Sequence, residues 1–275
     1  MDEKKIKPYL KRVGIGIAIV LVLWLGMKAC SKTADFFEPE YTIARDGTWY
    51  PITLGGKEKN MLGFTNELIL KIAEKEDFQV KLFNKGYTGL FLGLENGDFD
   101  AVISSLVPSS SNKSRFIFSD PIYLVGPVLV VRKGYVLNSL EQLVGGTIAF
   151  RRGDNIDVDF TRYPNVFMNV YDSYALAVEA LIDNRVDAIL MQAIPAYNTI
   201  QGYYSGKMAV ATAPMNDSGL RLIALKGRKG QQIIDSFNKG LQEMRKDGTY
   251  KSLMNSWQLI DTEEPPRIKI PAALK

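Results

Sequence analysis

Few side chains here could do chemistry, and the candidates are carboxylates and one thiol. Asp46 and Asp154 each sit beside glycine in a loop, where a carboxylate could act as a general acid or base. Both read first as cap or turn residues. Asp157-Val158-Asp159 has the look of a metal-binding pair, but on a helix these two side chains diverge onto a solvated face. Histidine is absent, which removes Ser-His and Cys-His catalysis, HExxH metal sites and imidazole pH switches together. Cys30 is the single cysteine, so there is neither an internal disulfide nor a cysteine-built zinc site. Gly14-x-Gly16 lies in an apolar leader and is no nucleotide fingerprint, and neither a P-loop nor GxSxG occurs. The inventory points to binding rather than catalysis, with no cofactor.

The charge distribution separates a leader from a body. The chain has 275 residues and a net charge of +4. Removing the six basic and two acidic residues of positions 1–29 from the 34 and 30 of the whole chain leaves 28 against 28. A neutral body gives no electrostatic reason to bind nucleic acid. The basic stretch from Lys4 to Arg12 precedes an apolar run from Val13 to Met27. That run suits a signal-peptide core better than a full membrane span of roughly 20 residues. Ala29-Cys30 closes it like a lipoprotein processing site, although Met27 and Lys28 are unusual there. Lipidation at Cys30, an uncleaved signal anchor and plain secretion all place the body outside the cytoplasm.

In the body, residues 31–40 read as a tether and 262–275, with three prolines, as an unstructured tail. Between them strand and helix patterns alternate. Strands are expected at Tyr41–Ala44, Gln79–Phe83, Ala101–Ser104, Val128–Arg132, Thr147–Phe150, Val166–Val170, Ala188–Met191 and Leu220–Leu225. Leu54 to Asn60, with Gly55-Gly56, reads as a hairpin turn. Helical spacing predicts helices over Phe64–Glu76, Tyr87–Glu95, Ser139–Leu143, Asp154–Phe160, Tyr174–Asp183 (capped by Asp172), Gln231–Lys246 and Thr249–Trp257. The alternation argues for α/β layers with largely parallel sheets. One phrase recurs: Leu94 to Ile103 parallels Leu181 to Leu190, and in both a helix ends, a turn follows, and Asp-Ala opens a buried strand. Two copies of one unit suggest two similar lobes.

The order of several short motifs resembles the family 3 periplasmic solute-binding proteins of polar amino-acid ABC transporters. The carriers include Asp46 to Pro51, Gly63-Phe64 with Glu67-Leu68, Asn96 to Ala101, Phe118-Ser119-Asp120-Pro121, Arg152-Gly153, Arg185-Val186-Asp187-Ala188, and Lys246 to Tyr250 with Trp257. Together they span about residues 41–260. The resemblance implies a two-lobed α/β periplasmic-binding-protein type II fold, the Venus flytrap, with two hinge crossovers. Lobe 1 would take 41–129 plus 214–261, and lobe 2 would take 130–213. It further implies a monomer that closes over a small polar solute and docks on a membrane permease.

Carried over residue by residue, the resemblance puts Trp49 over the ligand with Asp46 beside it. Tyr87 opens a cleft helix, and Ser104 and Ser105 hold the ligand amine. The amino-acid clamp is altered. Asn112 stands where the carboxylate-binding arginine is expected, Asp154 and Asn155 where a helix start would welcome the carboxylate, and Gln192 where an aspartate would meet the ammonium. Loss of a bidentate charged pair from a desolvated site costs about 2–5 kcal/mol. Unless Arg115 substitutes, the cleft suits a cationic or neutral polar solute. A sensor or adaptor with a degenerate cleft is the alternative, and a dehydratase-like enzyme on the same fold a further one.

Overall fold

The computed structural model describes residues 39–154, 157–202 and 204–264. Cys30, the apolar run, most of the tether, Asn155 and most of the tail therefore lie outside the described residues. Strand β1 (Glu40–Arg45) leads through a loop to helix α1 (Glu58–Lys75), then β2 (Gln79–Asn84), α2 (Tyr87–Asn96) and β3 (Ala101–Ser104). A short α3 (Asn112–Arg115), β4 (Phe116–Phe118) and β5 (Tyr123–Leu124) complete the first pass. The second unit holds β6 (Pro127–Arg132), β7 (Thr147–Arg151), β8 (Phe167–Tyr171), α4 (Tyr174–Ile182), β9 (Ala188–Gln192), α5 (Ala193–Gln201) and β10 (Met208–Val210). The chain returns as β11 (Gly219–Leu225), α6 (Arg228–Lys246) and α7 (Thr249–Ser256).

Two five-membered paths have the same plan. One runs β2-β1-β3-β11-β4, with β5 also on β11; the other runs β8-β7-β9-β6-β10. In each, three parallel strands meet an antiparallel fourth. The sheets are thus mixed rather than largely parallel, because the chain must reverse to cross between lobes. The repeated Asp-Ala phrase has the same job twice. Asp100 N donates to Thr42 O and its carboxylate accepts from Thr42 N, both at 2.8 Å. Asp187 does the same to Thr147, again at 2.8 Å.

The crossings are short and lie side by side. Val125-Gly126 leads from β5 to β6, and residues 211–218 lead back from β10 to β11. Val125 N donates to Ser218 O at 2.8 Å, and Met215 N to Pro127 O at 2.8 Å. The expected division after residue 129 falls inside β6, whose partners β9 and β10 all belong to the second sheet. Beside the crossings, Tyr123 OH donates to Ile260 O, Thr262 Oγ1 to Leu124 O and Tyr250 OH to Ile122 O.

Several local expectations are corrected. No hairpin forms at 54–60: after the Gly55-Gly56 turn α1 starts at Glu58, and the Glu58 carboxylate accepts from Leu54 N. Residues 157–159 are extended rather than helical, and a 3₁₀ turn follows at Phe160–Arg162, capped by Asp159 accepting from Thr161 N. Ser173, not Asp172, caps α4, since Asp172 turns away to pair with Arg152. The sequence pattern missed β4, β5 and β10, which are too short to show a period. It also missed α5, where Pro195 suggests a break but sits in the first turn, where no N–H is required. Among the described residues no helix is long and apolar enough to cross a membrane.

The first lobe buries α1, α6 and α7 against one sheet face and α2 against the other. Phe237, fully buried, is central to the first cluster. Phe237→Ala should therefore cost about 3–5 kcal/mol in urea unfolding, while exposed Leu92→Ala on α2 should stay within about 0.5 kcal/mol.

A pH dependence follows from the tyrosines. Burial raises the ionisation of Tyr123 and Tyr250 well above its ordinary value of about 10. The folded chain keeps protons that the unfolded chain releases. Stability is therefore whole below about pH 10 and falls as the pH rises beyond it. Urea unfolding from about pH 8 to about pH 11 should show that fall, and Tyr250→Phe should make it shallower.

Candidate functional site

The carboxyl ends of the parallel strands in both lobes face one another, the position where open α/β sheets offer binding crevices. β1 ends in the loop from Asp46 to Leu54, β3 in Ser104-Ser105, β7 in Arg151 to Gly153 and β9 in Gln192. Between them lies a cavity of about 330 Å³. Its first-lobe wall is Pro51, Ile52, Thr53, Ser105 and Val107; its second-lobe wall is Asp157, Gln192, Ile194 and Pro195. Val125, Ser218 and Gly219 of the crossings form the base. This volume lies in the lower range of small-molecule sites.

The aromatic assignment changes. Trp49 is 2% exposed, packs with Met61 and Phe64, and donates from Nε1 to Glu58 O at 3.0 Å. It belongs to the core and cannot cover a ligand. The cause is the start of α1 at Glu58, which brings that carbonyl within reach of the indole. Tyr50, 62% exposed, precedes the cavity-lining Pro51, its ring edge-on to Tyr87 at 5.3 Å. Tyr87 in turn meets Phe91 at 6.2 Å, which holds the opening turn of α2.

Asp46 is a turn residue. Its buried carboxylate accepts from Thr48 N at 2.9 Å and Thr48 Oγ1 at 2.8 Å. Ser104 is buried and its Oγ accepts from Leu106 N, whereas Ser105 reaches the cavity and donates to Tyr50 O at 3.4 Å. Asn112 donates from Nδ2 to Val107 O at 2.9 Å, which fixes the loop carrying Val107 rather than offering an amide to the cavity. Arg115 does not replace the missing clamp, because its exposed guanidinium pairs with Glu95 on α2. Gln192 lines the cavity as expected from its place at the end of β9.

Asp154 is held by two partners that spacing could not reveal. Arg151 grips its Oδ1 from Nε at 2.9 Å and Nη2 at 2.7 Å, and Tyr174 OH donates to its Oδ2 at 2.7 Å. The Arg151 guanidinium also lies over the Tyr174 ring, 4.5 Å from its centroid. The Asp154 hydrogen bond raises the Arg151 pKa further, and burial, then Asp154, raises that of Tyr174. Arg151, Tyr174, Tyr50 and Asp157 were not legible as site residues. Beneath this region Arg45 is 4% exposed, with Nε and Nη1 lacking hydrogen-bond partners, and desolvation lowers its pKa. By strand alternation it shares a face with Tyr41 and Ile43, in the core against α1. Among the described residues no group of three or more acidic or cysteine side chains could hold a metal.

A model of the bacterial extracellular solute-binding proteins, family 3, matches residues 41–260. The chain belongs to that family. The arginine-binding extracellular protein ArtP of Bacillus subtilis is 25% identical over 206 residues, covering 72% of this chain and 78% of ArtP. The L-cystine-binding protein TcyJ of Escherichia coli K12 is 24% identical over 221 residues, covering 78% and 81%. Among solved structures, the L-cystine solute receptor of Neisseria gonorrhoeae in its unliganded open conformation matches with a TM-score of 0.61 at 22% identity, covering 82% of this chain and 96% of that one. This last likeness establishes the two-lobed fold.

The Asp154 cluster ties the end of β7 to α4 in the second lobe. Asp154→Asn should lower stability by about 1–3 kcal/mol, because it leaves the Arg151 and Tyr174 donors short of a charged acceptor in a nearly buried position. Asp172→Asn breaks a fully solvated pair with Arg152 and should change stability by no more than about 1 kcal/mol in the same urea titration.

Proposed function

We propose that this family 3 protein is the extracytoplasmic receptor of an ABC importer. It captures an amino acid or amino-acid-like polar solute between its lobes and presents the closed form to a permease. One observation carries the reading: a single cavity is walled by both lobes and floored by both crossings. A solute there touches both lobes only when they approach, so its binding free energy favours closure. ArtP and TcyJ, similar along most of their lengths, bind arginine and L-cystine by name. The family binds solutes rather than converting them, and the partnered carboxylates Asp46 and Asp154 fit binding. The chain acts as a monomer, held at the membrane by lipid on Cys30 or by the apolar run itself.

The altered clamp favours a second reading, a sensor whose cleft delivers no cargo. Thermal shift against amino acids, polyamines, dipeptides and sugars separates the two. At a hundredfold excess over Kd a true ligand adds about 2.7 kcal/mol, which should raise Tm by roughly 5–10 °C. Such a shift with one solute class supports the receptor; no shift with any class favours the sensor.

A further inference from the structure

The carboxylates of Asp157 and Asp159 have separate surroundings. Asp159 is spent on the 3₁₀ turn, accepting from Thr161 N at 3.1 Å. Asp157 is placed differently. Its carbonyl accepts from Asn216 Nδ2 at 2.9 Å, which pins its backbone to the returning crossing. Among the described residues its carboxylate has neither a hydrogen bond nor an ion pair, and it is the sole charged residue in the cavity wall.

The arginines around the cleft are committed or out of reach, and exposed Lys85 beyond the end of β2 does not line the cavity. Arg151 is held by Asp154, and Arg115 by Glu95. Buried Arg221 donates to the carbonyls of Ser119 and Asp217. Arg45 has no partner, but it is buried on the core face and contributes nothing to the cavity wall. A ligand carboxylate therefore meets no available guanidinium, while a ligand cation meets one unpaired carboxylate. Tyr50, next in the chain to cavity-lining Pro51, and Tyr87 in contact with it carry aromatic rings, which also favour a cation.

We propose that Asp157 is the specificity-determining anchor of the cleft and that its ligand class is an organic cation, an amine or guanidine, whose recognition does not depend on an α-carboxylate. This rests on the receptor reading above. Asp157 is solvated in the structure, and closure over a ligand would dehydrate the pair, turning a weak surface attraction into a strong charge-assisted hydrogen bond.

Calorimetry on the full chain in detergent, with L-arginine, agmatine and L-citrulline, tests it. Agmatine lacks the carboxylate, and citrulline lacks the cation at the same size. Agmatine should bind within about threefold of arginine, and citrulline at least about tenfold more weakly, the equivalent of about 1.4 kcal/mol. Asp157→Asn should erase the difference between arginine and citrulline, and Asp157→Glu should restore part of it, with urea midpoints confirming that both variants fold. Equal binding of arginine and citrulline overturns the proposal, as does loss of agmatine binding, a silent Asp157→Asn variant, or no binding by any of the three. If the thermal-shift panel instead yields a neutral or anionic solute, the receptor stands and the cation assignment falls. If no solute on the panel binds, both fall.

Discussion

Two aspartates set the frame on which everything else depends. Asp100 and Asp187 each open the third strand of a parallel trio and reach back to the first strand, closing a pair of 2.8 Å bonds to Thr42 and to Thr147. A carboxylate accepting a backbone N–H at a strand start satisfies a donor that the ladder leaves open, and such charge-assisted bonds are the stronger kind. The bond also fixes which residues of the two strands lie level. In each lobe it brings the strand ends to one height, so that Ser105 and Pro51 on one side confront Gln192 and Asp157 on the other.

The crossings turn two such units into one device. Among the described residues two strand connections pass between the sheets; they are bonded to each other through Val125 N on Ser218 O, and the returning one also to β6 through Ala211 N on Leu129 O and Met215 N on Pro127 O. A third segment, Ile260 to Thr262, binds alongside through Tyr123 and Leu124. Gly219 shows how closely these segments approach: a Cβ there would stand 2.2 Å from Tyr123 O, and backbone cannot yield as a flexible side chain would. The two cores are thus joined by a few residues, the arrangement expected of hinge closure.

The frame was legible in the sequence because its signals are redundant. Eight of the strands and most helices carry an apolar period that survives an error of a residue or two at either end, and the duplicated Asp-Ala phrase announced two lobes. The site was less legible because it hangs on loops, where one bond redirects a side chain. Trp49 has the composition of a ligand aromatic, yet the extra turn of α1 offers the Glu58 carbonyl to its indole and draws it inward. Asp154 carries no mark in the sequence of its tie to Arg151 and Tyr174, which becomes visible only when β7 and α4 are laid side by side. Asn112 stands where the resemblance expects an arginine, but its job of holding the Val107 carbonyl depends on the path of the intervening loop.

Altered and lost sites differ physically. A cleft that had stopped binding would be free to collapse onto apolar residues. Here Asp154 stands where the resemblance expects a hydroxyl at a helix start. There the carboxylate is paired with a guanidinium and a phenol instead. That cluster consumes the positive charge on the second-lobe lip and stiffens it. The neighbouring Asp157 is left as the one charge in the wall of a cavity that both lobes still enclose. The clamp for an anionic group has been dismantled on the first lobe, while the second lobe has gained an unneutralised carboxylate. On the cation reading proposed above, that pair of changes would reverse the sign of what the cleft attracts while leaving its architecture intact.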